Sequence, residues 1–101
     1  MRVKICGVND PDAFRTACDA GADLVGFVFF QASPRAVSPG AAAELSALHP
    51  GGPDRVGLFV DPDDDALEAV LREVRLDMVQ LHGDETPERI AAIRARFGVR
   101  A

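Results

Sequence analysis

Asp23-Leu24-Val25-Gly26-Phe27-Val28-Phe29-Phe30 is, after its first residue, a nearly continuous apolar run. A strand with one face in water alternates apolar and polar side chains, whereas an unbroken run suits a strand covered on both faces, the habit of parallel sheets. Upstream, Val3-Lys4-Ile5 alternates, so residues 2–6 read as a first strand. Between the two strands, Asp10 is placed to cap a helix and Pro11 suits its first position. Phe14, Ala17 and Cys18 then recur at helical spacing, and Gly21 is placed to end the helix.

The same grammar repeats downstream. A loop over residues 31–37 leads to Ser38-Pro39, which opens an Ala-rich helix running to about Leu48; His49-Pro50-Gly51-Gly52-Pro53 is a turn. Residues 55–60 form the third strand, and Asp61-Pro62 opens a helix with a Leu67, Val70, Leu71, Val74 stripe. Residues 77–81 form the fourth strand, and Thr86-Pro87 opens a helix with Ile90, Ile93 and Phe97 on one face, closed by Gly98. Val99-Arg100-Ala101 reads as the start of a fifth strand that is cut off. Each helix thus begins with Asp, Ser or Thr followed by Pro, and Asp23-Leu24-Val25-x-Phe27 is echoed by Asp77-Met78-Val79-x-Leu81.

Strands alternating with helices through short loops imply an α/β fold with parallel pairing and right-handed crossovers, in one unit set over residues 1–101. Two architectures fit four consecutive βα units: half of a (β/α)8 TIM barrel, or a small doubly wound sheet. Whole barrels run to ~250 residues, about twice this chain. A doubly wound nucleotide binder would want a Gly-rich turn after strand one, where Cys6-Gly7-Val8-Asn9 offers a single glycine. Periodicity leaves the choice open.

Composition narrows the function. A net charge of -5 argues against a nucleic-acid or membrane-surface partner, since phosphate contacts need clustered Lys and Arg. No apolar run approaches the ~18 residues of a membrane span, and nothing resembles a cleavable signal, so a cytoplasmic address is expected. Two cysteines in neither CxxC nor Cys/His spacing lead us to expect no disulfide and no structural metal. The partner should be a small molecule.

In either architecture ligands meet the carboxyl ends of the strands. That rule selects Cys6; then Ser33, Pro34 and Arg35; Asp61; and His82, Gly83 and Asp84. Cys6 is either a small buried hydrophobe or a thiol activated at the rim by helix N-termini and a nearby cation. Lys4 points the same way by the period-2 rule and either assists the site or pairs structurally. Arg35 is either a solvated loop charge or a planar fork for a carboxylate, on a loop stiffened by Pro34. His82 is a loop histidine bonded to a neighbouring carboxylate or a site residue. Cys18 lies on the apolar stripe of its helix and belongs to the core, His49 sits on the opposite rim, and Asp61 and Thr86 are read as helix caps. The acids of residues 61–65 read as a solvated helix start.

Val3-Lys4-Ile5-Cys6-Gly7, Gly21-Ala22-Asp23 into Gly26-Phe27-Val28-Phe29, Ser33-Pro34-Arg35-x-Val37-Ser38, Val56-Gly57-x-Phe59-Val60 and Gln80-Leu81-His82-Gly83-Asp84-Glu85 together resemble the phosphoribosylanthranilate isomerase family, in order and spacing, over essentially the whole chain. The resemblance implies the N-terminal half of a TIM barrel and a cofactor-free Amadori rearrangement in tryptophan biosynthesis. By resemblance, Cys6 is the general base, Arg35 holds the anthranilate moiety of a phosphorylated sugar substrate, and His82 lines the same pocket. The family's general acid, an Asp ending strand five, and its phosphate-binding loops would lie beyond Ala101. Two expectations follow: this chain alone is inactive, and it self-associates or pairs with a C-terminal half-barrel. The alternatives are another phosphate-sugar barrel enzyme and a non-catalytic half-barrel.

Overall fold

The structure, a computed structural model, describes every residue except Met1, Gln31, Asp84, Val99 and Ala101. Four strands, β1 (Lys4–Ile5), β2 (Leu24–Val28), β3 (Asp54–Phe59) and β4 (Met78–Leu81), alternate with four helices, α1 (Pro11–Asp19), α2 (Pro39–Ala47), α3 (Asp64–Glu73) and α4 (Pro87–Phe97). All pairings are parallel and the sheet order is β1-β2-β3-β4.

Two features separate the architectures that periodicity left open. The strand order never reverses, so the sheet has no switch point of the doubly wound kind. The two faces of the strands also lead to different places. Val25, Phe27, Phe59 and Val79 pack with Phe14, Ala17, Ala42, Leu67 and Ile93 of the helices in the main core. Val28, Val56 and Leu58, with Leu24, Phe30 and Met78 against them, form a second cluster to which, among the described residues, no helix contributes. Helices on one face only, over sequentially ordered parallel strands, is the arrangement of a barrel wall. Across the helix-free face the Lys4 ammonium of β1 hydrogen-bonds the Gln80 side-chain oxygen of β4. Since these are the two outer strands of four, the sheet curls strongly and that face is concave.

Local chemistry explains the element ends. Asp10, Ser38 and Thr86 cap α1, α2 and α4, accepting from the N–H groups of Ala13 (2.7 Å), Ala41 (3.1 Å) and Arg89 (3.1 Å), each with Pro just inside the helix. The third helix differs from the sequence expectation. Asp61 is not its cap; Asp63 is, accepting from Ala66 N–H at 2.7 Å. Asp61 instead sits at φ 44° and donates its N–H to Glu85 at 2.8 Å. A run of three aspartates lets the start slide onward, leaving Asp64 and Asp65 in the first turn, where the helix dipole favours them. Asp64 is not merely solvated either: it pairs with Arg89 (2.6 Å) and Arg96 (3.3 Å) of α4. The hydrogen bond from Arg89, with the charges of both arginines, holds its carboxyl below the usual 3.8.

The first strand is shorter than the expected residues 2–6, because Gly7 turns the chain at φ 74° and both Gly7 and Val8 donate to Gly26 O (3.0 and 3.1 Å). The sequence echo at Asp23 and Asp77 has a common physical meaning. Each aspartate donates its N–H to a carbonyl of the preceding strand segment and accepts that residue's N–H on its carboxylate: Asp23 with Val3 (2.9 and 2.7 Å), Asp77 with Arg55 (both 2.8 Å). The fifth-strand expectation falls largely on Val99 and Ala101, outside the described residues; Arg100 makes a parallel bridge to Met78, its carbonyl accepting Val79 N–H at 2.7 Å.

Arg55 carried no expectation, yet it is the one charged side chain among the described residues that is fully in the core. Its Nε donates to Ser46 Oγ (2.9 Å), and its two terminal nitrogens to the carbonyls of Gly51, Pro53 (2.6 Å), Ser46 (3.0 Å) and His49 (2.5 Å). All five donors of the guanidinium are used. Its Cζ also lies 5.4 Å from the Phe14 ring centroid.

Candidate active site

The parallel register brings the residues just past β1, β2, β3 and β4 to one rim of the concave face. Cys6 follows β1 directly and its side chain is exposed, not sealed in the core. Gly26 of β2 makes room for it: a Cβ there would stand 3.4 Å from Cys6 Sγ and 3.0 Å from Leu58 Cδ1. Any side chain at residue 26 would crowd the gap between the sulfur and the wall of the apolar cluster.

Arg35 rides on the loop after β2. That loop is folded back by Val37 N–H on Val28 O (2.9 Å), Ser33 N–H on Phe30 O (3.2 Å) and Arg35 N–H on Ser33 Oγ (3.2 Å). The exposed side chain is laid over Gly7, the residue next to Cys6; a Cβ at Gly7 would fall 2.5 Å from Arg35 Cδ and 2.9 Å from a terminal nitrogen. The left-handed conformation and the missing side chain of Gly7 thus serve the same contact. Arg35 is thus packed against the residue that follows the thiol.

His82 is anchored through its backbone, donating to Phe59 O at 2.9 Å, and its imidazole is exposed. It shares the rim with Cys6 and Arg35, but among the described residues no side-chain hydrogen bond joins it to either. The expectation at Asp84 lies outside the described residues, and Gly83 next to it gives its empty side to the Asp61 carboxylate, which a Cβ would meet at 2.4 Å. Among the described residues no group of three His, Cys, Asp or Glu could hold a metal ion. Cys18 is half-buried against the core, as the helix stripe implied.

Sequence reading missed Gln80. The signal was available: Met78, Gln80 and His82 share one strand face, and a single amide among apolar positions needs a partner. That partner is Lys4, which resolves the open choice for Lys4 toward pairing. A trough of about 430 Å³ lies at the opposite rim around Ser46, Pro53 and Arg55, where the guanidinium is already fully engaged. It marks the packing of the turn before β3.

A family model described as N-(5'-phosphoribosyl)anthranilate (PRA) isomerase matches residues 3–101. Among curated relatives, the N-(5'-phosphoribosyl)anthranilate isomerases of Paramagnetospirillum magneticum and Paracoccus denitrificans are 58% and 59% identical over 99 residues, each alignment covering 98% of this chain and 46% of the relative. Among solved structures, phosphoribosyl anthranilate isomerase from Thermotoga maritima superposes with a TM-score of 0.89 at 40% identity, over 95% of this chain and 47% of that one. A phosphoribosyl anthranilate isomerase solved with reduced 1-(o-carboxyphenylamino)-1-deoxyribulose 5-phosphate gives the same score and identity, over 95% of this chain and 50% of that one. The chain spans about half the length of the curated relatives it matches.

Proposed function

This chain belongs to the N-(5'-phosphoribosyl)anthranilate isomerase family, and from that premise we propose that it supplies the N-terminal half of a cofactor-free isomerase of tryptophan biosynthesis acting on N-(5-phosphoribosyl)anthranilate. In the reaction an acid protonates the furanose ring oxygen and the C1–O bond breaks, leaving a Schiff base between C1 and the anthranilate nitrogen. A base then removes the C2 proton, the electron pair closing a C1–C2 double bond as the imine becomes an enolamine. Tautomerisation returns a proton to C1 and leaves the C2 ketone. Atoms and electrons balance without oxidant or cofactor.

Cys6 takes the C2 proton, Arg35 holds the anthranilate carboxylate and His82 lines the pocket. The observation that carries this reading is the exposed Cys6 sulfur on the concave rim with the Arg35 fork laid over the adjoining Gly7. A carboxylate gripped by Arg35 places the rest of its molecule over the sulfur, and bidentate Arg–carboxylate pairing fixes orientation as well as affinity. The general acid and the phosphate grip come from residues after the fourth βα unit, so the 101 residues alone are inactive. The partner they need is a C-terminal half-barrel, set against the β1 and β4 edges. The family's biosynthetic role suits a cytoplasmic address, and among the described residues no helix is long and apolar enough to cross a membrane.

The test is turnover of N-(5-phosphoribosyl)anthranilate by the complete gene product. Cys6→Ala should lower kcat by ~10²–10⁴, the usual worth of a general base, while Cys18→Ala leaves it unchanged. Equal turnover of Cys6→Ala and wild type would overturn the assignment.

A further inference from the structure

Asp61 is the one non-glycine among the described residues with left-handed backbone, at φ 44°. An L side chain holds that conformation at a cost, and it persists only where neighbouring contacts fix it from several sides. Helix capping does not account for it, since Asp63 caps α3.

The contacts that fix Asp61 come from the residues after β4. Gly83 turns its empty side to the Asp61 carboxylate, where a Cβ would stand within 2.6 Å of both oxygens. The Glu85 carboxylate accepts the Asp61 N–H at 2.8 Å. His82 donates its own N–H to the carbonyl of Phe59, two residues before Asp61, at 2.9 Å. His82, Gly83 and Glu85 thus all rest on the stretch from Phe59 to Asp61. Arg89 of α4 closes the same loop onto the fourth unit, donating to Pro62 O (2.9 Å) and pairing with Asp64 (2.6 Å). These contacts all lie on the β3 side of β4, so a C-terminal half set against the other edge of β4 leaves them in place.

The consequence falls on His82. Its imidazole is exposed on the rim, and among the described residues no hydrogen bond or ion pair holds the ring. The backbone alone aims it: Phe59 O holds the His82 N–H, and Asp61 holds the Gly83 that follows. Building on the isomerase reading above, in which His82 lines the substrate pocket, we propose that Asp61, locked by Glu85, is the peg that sets the position of His82. Asp61 and Glu85 are then positioning residues that act through His82 and touch no substrate.

The experiment is steady-state kinetics of the complete gene product with His82→Ala, Asp61→Gly, the double variant, Asp61→Asn and Glu85→Ala. Glycine is at ease at φ 44°, so Asp61→Gly removes the carboxylate without adding strain and should stay folded. It should lower kcat/KM at least about fivefold, and no further than His82→Ala does, on the scale by which an ångström of misplacement costs up to ~10²-fold. In the His82→Ala background the same change should alter kcat/KM by less than about twofold, because an absent ring cannot be misplaced. Asp61→Asn keeps an oxygen against Gly83, tolerates left-handed backbone and should stay within about threefold of wild type. A folded Asp61→Gly with wild-type kcat/KM, multiplicative effects of Asp61→Gly and His82→Ala, or a fivefold loss in folded Asp61→Asn would overturn the proposal. Should Asp61→Gly fail to fold, Glu85→Ala, alone and combined with His82→Ala, reads the same coupling with the same expected pattern. Wild-type turnover in His82→Ala would instead defeat the reading on which the proposal rests.

Discussion

Gly7→Ala should cost the proposed isomerase substrate affinity as well as stability, and the structure gives the scale of both. At φ 74° an alanine pays the left-handed penalty of about 1–2 kcal/mol, which a domain stable by ~5–15 kcal/mol survives. The new Cβ would also stand 2.5 Å from Arg35 Cδ. One of the two must move by roughly 1 Å to reach ordinary carbon–carbon contact at ~3.5 Å. The turn is pinned by two donors on Gly26 O, whereas the Arg35 side chain is exposed, so the arginine gives way. A hydrogen bond to a charged group contributes about 1.5–3 kcal/mol, so losing the fork's alignment should lower kcat/KM about 10- to 150-fold, chiefly through KM. The assay is steady-state kinetics of the complete gene product for Gly7→Ala, Arg35→Ala and the double variant, with a denaturant melt of each. The double variant should match Arg35→Ala alone. A Gly7→Ala enzyme with kcat/KM within about twofold of wild type, yet destabilised as stated, would show that backbone strain is the whole effect and refute the reasoning.

Three further outcomes follow from the same structure. Arg55→Met should destabilise by about 1–3 kcal/mol, because the buried Pro53 carbonyl loses its donor while the neighbouring turn carbonyls can turn to water; the urea midpoint should fall at unchanged slope. Asp64, whose folded carboxyl is held below 3.8 by the Arg89 hydrogen bond, contributes stability that is complete above that value and lost as pH falls through its folded pKa. The stability gap between wild type and Arg89→Ala should therefore be flat at neutral pH and shrink in acid below 3.8, as read from melts across that range. The 101 residues expressed alone should self-associate through the β1 edge and the exposed Val3, and sedimentation should show species larger than a monomer.

Strand and helix placement was legible wherever one physical signal dominated. The apolar run ending at Phe30 needed cover on both faces, and the Ser, Thr or Asp before Pro marked three helix starts because cap geometry is local. The fourth slipped at Asp61 because three successive aspartates offer equivalent oxygens, and only the contacts of Asp64 with α4 choose among them. Barrel against doubly wound sheet was beyond periodicity, which shows that a strand has two covered faces and not what covers each; the family resemblance supplied the barrel. Cys6 and Arg35 could be chosen by the strand-end rule, but their juxtaposition depends on an empty side at Gly7 that the motif does not announce. Arg55 was missed because a polar residue inside a strand reads as a solvated position until its partners are seen; the need of Gln80 for a partner was legible, but the Lys4 that meets it lies 76 residues away.

The central claim is that the Cys6 sulfur is the base of the reaction, and selective alkylation tests it most directly. Treating the complete gene product with iodoacetamide should modify the exposed Cys6 ahead of the half-buried Cys18, with turnover falling in step with Cys6 modification measured by mass spectrometry. Reduced 1-(o-carboxyphenylamino)-1-deoxyribulose 5-phosphate, the ligand of the related solved isomerase, should slow both together. Full turnover retained with Cys6 completely alkylated would contradict the account.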